Sequence, residues 1–390
     1  MPLTMSEKHA VSNELRDRYR KASKKQKQIL LDEFASLTGY NRSYAARKLR
    51  SRKIRQERKR PPPGRQGRKS VYLADVIDPL SRIWVVMNFA CGKRLAAGMP
   101  DVLGALCRHG ELHCGSDVLD QLRRMSPATI DRLLSAKRKE LSPHGRTTTK
   151  PGSLLKSQIP IRMGSEWDDN RPGFVEMDLV AHCGDSTRGM YANTLDVTDI
   201  ATGWSEQAAV VNKAQIHVFN AFQQLRSRFP FPILGVDSDN GSEFINNEML
   251  RYCIQEKLVF TRSRPYKKND GCHIEQKNWS IVRQIAGYGR FETQAETDLL
   301  NRIFDLVRLH NNFFMPSVKL VGKVRDGSHV TRKYDPPMTP FKRVLASDSV
   351  RQDVKQSLWS LFDELNPLDL KRGISQLVSE LYNLNDTLQR

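Results

Sequence analysis

Apolar residues along the chain fall into three regimes. In residues 26–38 (QKQILLDEFASLT), Ile29, Leu30, Phe34 and Leu37 recur at helical spacing until Gly39 breaks the pattern, and NRSYAARKLRSRK predicts a second helix beginning near Asn41 or Ser43. From about Ser70 to Leu141 the spacing is helical again, with Ser126 placed to cap and Pro127 to open a helix carrying Ile130, Leu133 and Leu134. Beyond Gly164 the period shortens. Residues 174–182, 190–199 and 204–211 read as three successive strands, and a helix at 212–228, an apolar strand at 231–239, a helix at 242–256, a strand at 258–263 and a long helix from near Gly271 follow. The last segment, 347–390, is amphipathic, with Val354, Leu358, Leu361 and Phe362 and then Leu377, Leu381 and Leu384 at near-helical spacing. Such a face packs either on its own core or on a partner, and oligomerisation is a reasonable use of it.

Two segments interrupt these patterns. Residues 58–69 (RKRPPPGRQGRK) hold three consecutive prolines and two glycines among basic residues, which forbids a helix interior and predicts a linker or an extended basic arm. Residues 142–164 are rich in turn formers and read as an interdomain linker. The expected organisation is therefore a helix-turn-helix domain at 1–57, the basic linker at 58–69, a second helical, helix-turn-helix-like domain at 70–141, a linker at 142–164, a catalytic core at 165–346 and a helical tail at 347–390. The fold class is multidomain, α plus α/β, with a mixed five-stranded sheet and flanking helices in the core.

Charge sharpens this picture. The chain carries 63 Lys and Arg against 43 Asp and Glu, a formal net charge of +20 and a pI near 9.8, and residues 1–70 alone hold 21 basic against 6 acidic residues. A polyanion is the expected partner, and double-stranded DNA the first candidate. Arg47, Lys48, Arg50, Arg52 and Lys53 lie on the second helix of the first pair, and Arg58, Lys59, Arg60, Arg65 and Arg68 continue the basic surface into the arm. A helical hairpin with a solvated basic face is the plainer alternative. The later helix likewise shows Arg132, Lys137, Arg138 and Lys139. The first thirty residues are charged throughout, the longest apolar run (83–91) already contains Asn88, and six cysteines are scattered without a disulfide-scaffold spacing. No membrane is expected as a partner, and a cytoplasmic, nucleoid-associated location is.

Acidic residues in otherwise apolar strands point to chemistry. Asp178 lies in the middle of the first strand, where an unpaired buried carboxylate would be costly. Asp239 ends the fourth strand and is followed by the turn Asn240-Gly241, while Glu275 opens the long helix with Asn278 one turn on along the same face. Asp237 is the main rival to Asp239, two residues earlier on the same strand face, and Asp270 and Glu243 are also near. Three strands in a meander followed by alternating strands and helices is the element order of an RNase H-like core.

SDNGSEF (238–244) followed by RPYKKNDGCHIEQKN (264–278) resembles the integrase core of retroviral integrases and bacterial insertion-sequence transposases of the DDE superfamily. That signature is an Asp on the first strand, an Asp in a D-N-G turn and a Glu after 35 intervening residues, which positions 240–274 supply here. The resemblance spans about residues 170–345, including LHNNFFMPSVKL (309–320) and YDPPMTPFKRVL (334–345). It implies that Asp178, Asp239 and Glu275 are catalytic and hold two Mg²⁺ ions, for which Mn²⁺ can substitute, with Asn278 and Asn240 in support. Arg264, Lys267 and Lys268, on the loop before the catalytic helix, are expected to meet substrate phosphates, and Arg262 and Tyr266 lie nearby.

Retroviral integrases also carry an N-terminal zinc module. Cys107, His109, His113 and Cys114 depart from its order and spacing, so no zinc is expected. The implied activity is that of a DNA transposase that cuts the 3′ ends of a mobile element and joins them to target DNA, acting as at least a dimer on both ends. A catalytically silent, transposase-derived repressor and an RNase H-superfamily nuclease are the alternatives.

Overall fold

The computed structural model describes residues 3–50, 72, 74–140, 171–238, 241, 243–244, 246–262, 277–326 and 329–389. The chain separates into two compact units, 1–70 and 71–390.

The first unit is three helices, α1 (Met5–Lys21), α2 (Lys24–Thr38) and α3 (Arg42–Arg50). Thr4 and Glu7 close a capping box on α1, Ser23 and Gln26 close another on α2, and Gly39 ends α2 in the left-handed region at φ 68°. Leu15 and Tyr19 of α1 meet Leu30, Leu31 and Phe34 of α2 and Ala45 and Leu49 of α3 in one small core. Of the apolar positions expected to share a face of α2, Leu30 and Phe34 are buried, whereas Ile29 and Leu37 stay exposed. The helix α1 has no counterpart in the sequence reading.

The second unit opens with helices α4 (Ala74–Val86), α5 (Gly92–Arg108), α6 (Ser116–Arg124), α7 (Pro127–Leu133) and α8 (Ser135–Glu140). Ser126 caps α7 through Thr129 N at 3.3 Å, and Pro127 occupies its first turn, as the sequence suggests. Two of the basic residues after it face inward: Arg138 bridges Asp131 at 2.6 Å and lies over Trp84, and Lys137 Nζ donates to Ser81 Oγ at 2.9 Å.

Five strands follow, β1 (Phe174–Ala181), β2 (Asn193–Asp199), β3 (Ser205–Val210), β4 (Gly235–Ser238) and β5 (Val259–Arg262), interleaved with α9 (Gln215–Arg226) and α10 (Asn247–Gln255). They form one mixed sheet in the order β3-β2-β1-β4-β5, antiparallel over the first three strands and parallel from β1 through β4 to β5. This is the strand arrangement expected of the core, although β4 is shorter than the apolar run that announced it.

The next helix, α11, is described from Lys277, runs through a π-helical turn (Asn278–Arg283), continues as Gln284–Ala286 and stops at Gly287. After it come the long α12 (Gln294–Phe314), a hairpin of β6 (Leu320–Asp326) and β7 (His329–Tyr334), and α13 (Pro340–Ala346), α14 (Gln352–Glu364) and α15 (Pro367–Gln389). Neither α12 nor the hairpin was anticipated.

Alternation along β1 and β2 gives the sheet two unlike faces. Val175, Met177, Leu195, Val197 and Val236 point to a core shared with Val218, Phe222 and Leu225 of α9, with α4 and α5, and with Phe362 of α14. On the other face Val180 and Ala209 meet Ile281 and Val282 of α11, Leu300, Ile303 and Phe304 of α12, and Ile374, Leu377 and Leu381 of α15. The C-terminal helices thus bury their apolar stripe within the same unit.

Candidate active site

Asp178 sits on the central strand, in register with Asp196 of β2, which is itself in register with Gln207 of β3. Two residues back, Glu176 pairs with Asp237 of β4, and Asp237 with Thr261 of β5. Residues in register share a side of the sheet, so four carboxylates line the face that α11 covers.

Three of them are enclosed: Glu176, Asp196 and Asp237 are fully buried, while Asp178 is only half-buried. Asp237 accepts from Thr261 Oγ1 at 2.6 Å, and Asp196 Oδ1 accepts from Gln207 Nε2 at 2.9 Å. Of these four, Asp178 is the most exposed.

A contact between residues 100 positions apart ties the strand to the helix. Asn278 Nδ2 donates to Asp178 Oδ2 at 2.6 Å, while Asp178 Oδ1 accepts from Leu179 N at 2.8 Å. The two expected partners are thereby brought together. Asp239, Glu275, Asn240, Arg264, Lys267 and Lys268 lie outside the described residues, as do Arg52, Lys53, Arg58, Lys59, Arg60, Arg65 and Arg68. Arg47 and Arg50 are exposed on α3, Arg47 stacked over Tyr44 at 5.1 Å, and Lys48 is half-buried beside them.

Lys277 was not anticipated. It lies immediately before Asn278, yet its side chain turns into the protein, where Nζ donates to Gly203 O at 3.1 Å on the β2–β3 turn. Burial pushes its ammonium down and the Asp196 carboxyl up, and the attraction between the two opposes both shifts. Nothing in the local sequence marks this lysine out for burial. Asp199 is structural: its carboxylate accepts from Gly173 N, Thr202 N and Thr202 Oγ1 at 2.8, 2.7 and 2.6 Å, shaping the same turn, and burial raises it to about 6.

Among the described residues no group of three or more His, Cys, Asp or Glu side chains could hold a metal ion. The donors that are described do suit a hard divalent cation. Asp178 offers carboxylate oxygen, and the Oδ1 of Asn278 is buried beside it with no hydrogen-bond partner, an acceptor that a hydrated cation would satisfy. No helix among the described residues is long and apolar enough to cross a membrane.

No family model matches the chain. Among solved structures it is similar to the catalytic core domain of BIV integrase, with a TM-score of 0.31 and 18% identity over 45% of this chain and 95% of that one. It is also similar to the HTLV-2 integrase catalytic core domain, solved in complex with magnesium, with a TM-score of 0.29 and 14% identity over 37% and 90% of the two chains. A sequence relative is much nearer: the uncharacterized protein y4rM of Sinorhizobium fredii (strain NBRC 101917 / NGR234) is 41% identical over 327 residues, 84% of this chain and 92% of its own length. The chain therefore belongs to the same family as y4rM.

Proposed function

We propose that the protein is a DNA transposase of the DDE type, which binds the ends of a mobile element, cleaves their 3′ ends and transfers them to target DNA. The observation that carries this reading is the 2.6 Å bond from Asn278 to Asp178, which joins the central strand to α11, three residues beyond Glu275 in the sequence. A two-metal site for phosphodiester chemistry requires carboxylates that converge from separate segments, and this contact, across 100 positions, supports such a convergence.

In this reading Asp178, Asp239 and Glu275 would hold two Mg²⁺ ions, with Asn278 and Asn240 fixing the geometry of the carboxylates. Bound there, the ions would offset the negative charge that builds on the phosphate during in-line attack. Water attacks the phosphorus at each element end and releases a 3′-hydroxyl. That hydroxyl then attacks a target phosphodiester, so one P–O bond forms as another breaks and no covalent protein intermediate is needed. Arg47, Lys48 and Arg50 of α3, with the basic residues that follow them, bind element-end DNA, and Arg264, Lys267 and Lys268 meet phosphates beside the carboxylates. Two ends require at least two protomers.

The test is an assay with purified protein, labelled element-end duplex, a supercoiled plasmid and Mg²⁺ or Mn²⁺, run beside Asp178→Asn and Asp239→Asn. Metal-dependent cleavage and joined products, both lost in the variants, are expected. Binding without either product would replace the reading with a repressor, and cleavage without joining with a nuclease.

A further inference from the structure

Between α11 and α12 lies a small, partly open cavity of about 30 Å³. Its polar lining is Asn88 from the turn after α4, Arg94 of α5, Ser280 and Gln284 of α11, and His310 and Asn311 of α12. No acidic residue is among the described residues that line it.

The donors there outnumber the acceptors. Arg94 donates through Nε to Pro316 O at 2.5 Å, and among the described residues no carboxylate pairs with its guanidinium. Lys371 of α15, just behind, donates Nζ to the neutral Oδ1 of Asn88 at 2.6 Å and likewise has no carboxylate partner among the described residues. Burial pushes both cations below their ordinary range. Asn311 Nδ2 is buried with no acceptor. His310, fully buried, held at about 4 by that burial and 2.7 Å from Val86 O, stays neutral and adds no charge of its own.

A desolvated cation without a counter-charge is costly, and so is a buried amide donor without an acceptor. Both debts are met at once by a ligand that only accepts and carries negative charge. A phosphate group matches the fork of a guanidinium and has oxygens to spare for an amide and a hydroxyl. We propose that this cavity is an anion site for a phosphate group, with Arg94 as its principal ligand and Asn311 and Ser280 as neutral donors.

The lining of the cavity includes none of the four carboxylates, and the proposal stands whether or not DNA chemistry is the protein's activity. The cavity's position gives it a consequence, since Ser280 belongs to the π-helical turn that begins with Asn278. A ligand there braces the turn that presents Asn278 to Asp178.

Inorganic phosphate is the probe. The full chain is titrated with it at constant ionic strength, following binding by calorimetry and the melting temperature, with sodium chloride as the blank. Saturable binding and a raised melting temperature are expected, with affinity at least ten-fold weaker in Arg94→Gln and several-fold weaker in Asn311→Leu. The first variant is used only if it melts like the parent in chloride; otherwise Asn311→Leu, which removes the unpaired donor, decides. Displacement of phosphate by a short duplex without terminal phosphates would identify the natural group as DNA backbone, and its persistence as a free phosphate compound. Binding unchanged in the variants, or stabilisation no greater than chloride gives, would overturn the proposal.

Discussion

Replacing Asn278 by Ala removes one hydrogen bond, from Nδ2 to Asp178 Oδ2 at 2.6 Å. A bond from a neutral donor to an ionised carboxylate contributes about 1.5–3 kcal/mol, and losing it where the carboxylate must be oriented slows the reaction by about 10- to 150-fold. The effect should fall on the chemical step, because Asn278 contacts the acid and the carboxylate itself remains. The assay is single-turnover cleavage of a labelled end duplex at saturating protein, repeated across a Mg²⁺ titration. A lower rate at saturating metal, with unchanged duplex affinity, is expected. Asn278→Asp, which sets a second negative charge against Asp178, should be slower still. Combined with Asp178→Asn, either change should add little, because the two residues act as one unit. A parent-like rate for Asn278→Ala at saturating Mg²⁺ would refute the argument that this contact positions the acid.

Three other outcomes follow from the structure. His182 is fully buried, its Nε2 lies 2.7 Å from Thr194 Oγ1, and burial lowers it to about 3. Because the unfolded chain takes up the proton near pH 6.5 and the folded chain does not, this residue costs stability as pH falls below that value, about 2 kcal/mol by pH 5. His182→Phe should therefore lose about 2 kcal/mol less than the parent between pH 7.5 and 5 in urea denaturation, and equal losses would contradict it. Arg47→Gln with Arg50→Gln should weaken binding of every duplex alike and flatten the slope of log affinity against log salt by about 2, measured by anisotropy; an unchanged slope would remove α3 from the interface. Phe362 is buried among Phe313, Phe314, Phe341 and Trp359, so Phe362→Ala should cost about 3–5 kcal/mol in chemical denaturation.

The sheet was legible because its two faces differ so sharply. In β1 the sequence alternates Val175, Met177 and Leu179 with Glu176 and Asp178, and a period of two leaves little choice about which residues share a face. What the strand pattern could not give was the depth of each acid. Asp178 and Glu176 look alike in sequence, and only the folded chain leaves one half-exposed and the other enclosed. The helix α12 escaped because it buries Glu296, Thr297, His310 and Asn312 as well as apolar residues, which blurs its stripe. Its polar residues do structural work: Asn312 pairs with both backbone groups of Ser205, and Asn301 with both of Ala209, closing the free edge of β3. The helix α1 escaped for the opposite reason, since Val11, Leu15 and Tyr19 recur every fourth residue among charges too dense for the stripe to stand out.

The C-terminal helix has a reason to be where it is. Tyr382 Oη donates to Ala286 O at 2.9 Å, at the last residue of α11, and Asn385 Nδ2 donates to Arg290 O and Glu296 Oε1 at 2.5 and 2.6 Å. The helix that meets Asp178 through Asn278 is therefore fastened at its C-terminal end by α15. Gly287, between them, has φ 69°, and a Cβ there would stand 2.3 Å from Tyr382 Oη. Gly287→Ala thus meets two penalties, backbone strain of about 1–3 kcal/mol at φ 69° and ψ −151°, a region essentially reserved for glycine, and loss of a hydrogen bond of about 1 kcal/mol as Tyr382 is displaced. A destabilisation of about 2–4 kcal/mol is expected in urea denaturation. Adding Tyr382→Phe should cost little more, because the displaced hydroxyl has already lost its bond. If Gly287→Ala were as stable as the parent, the tail would not be holding the helix through this contact, and the fixed end of α11 would have to be sought in its packing against α12.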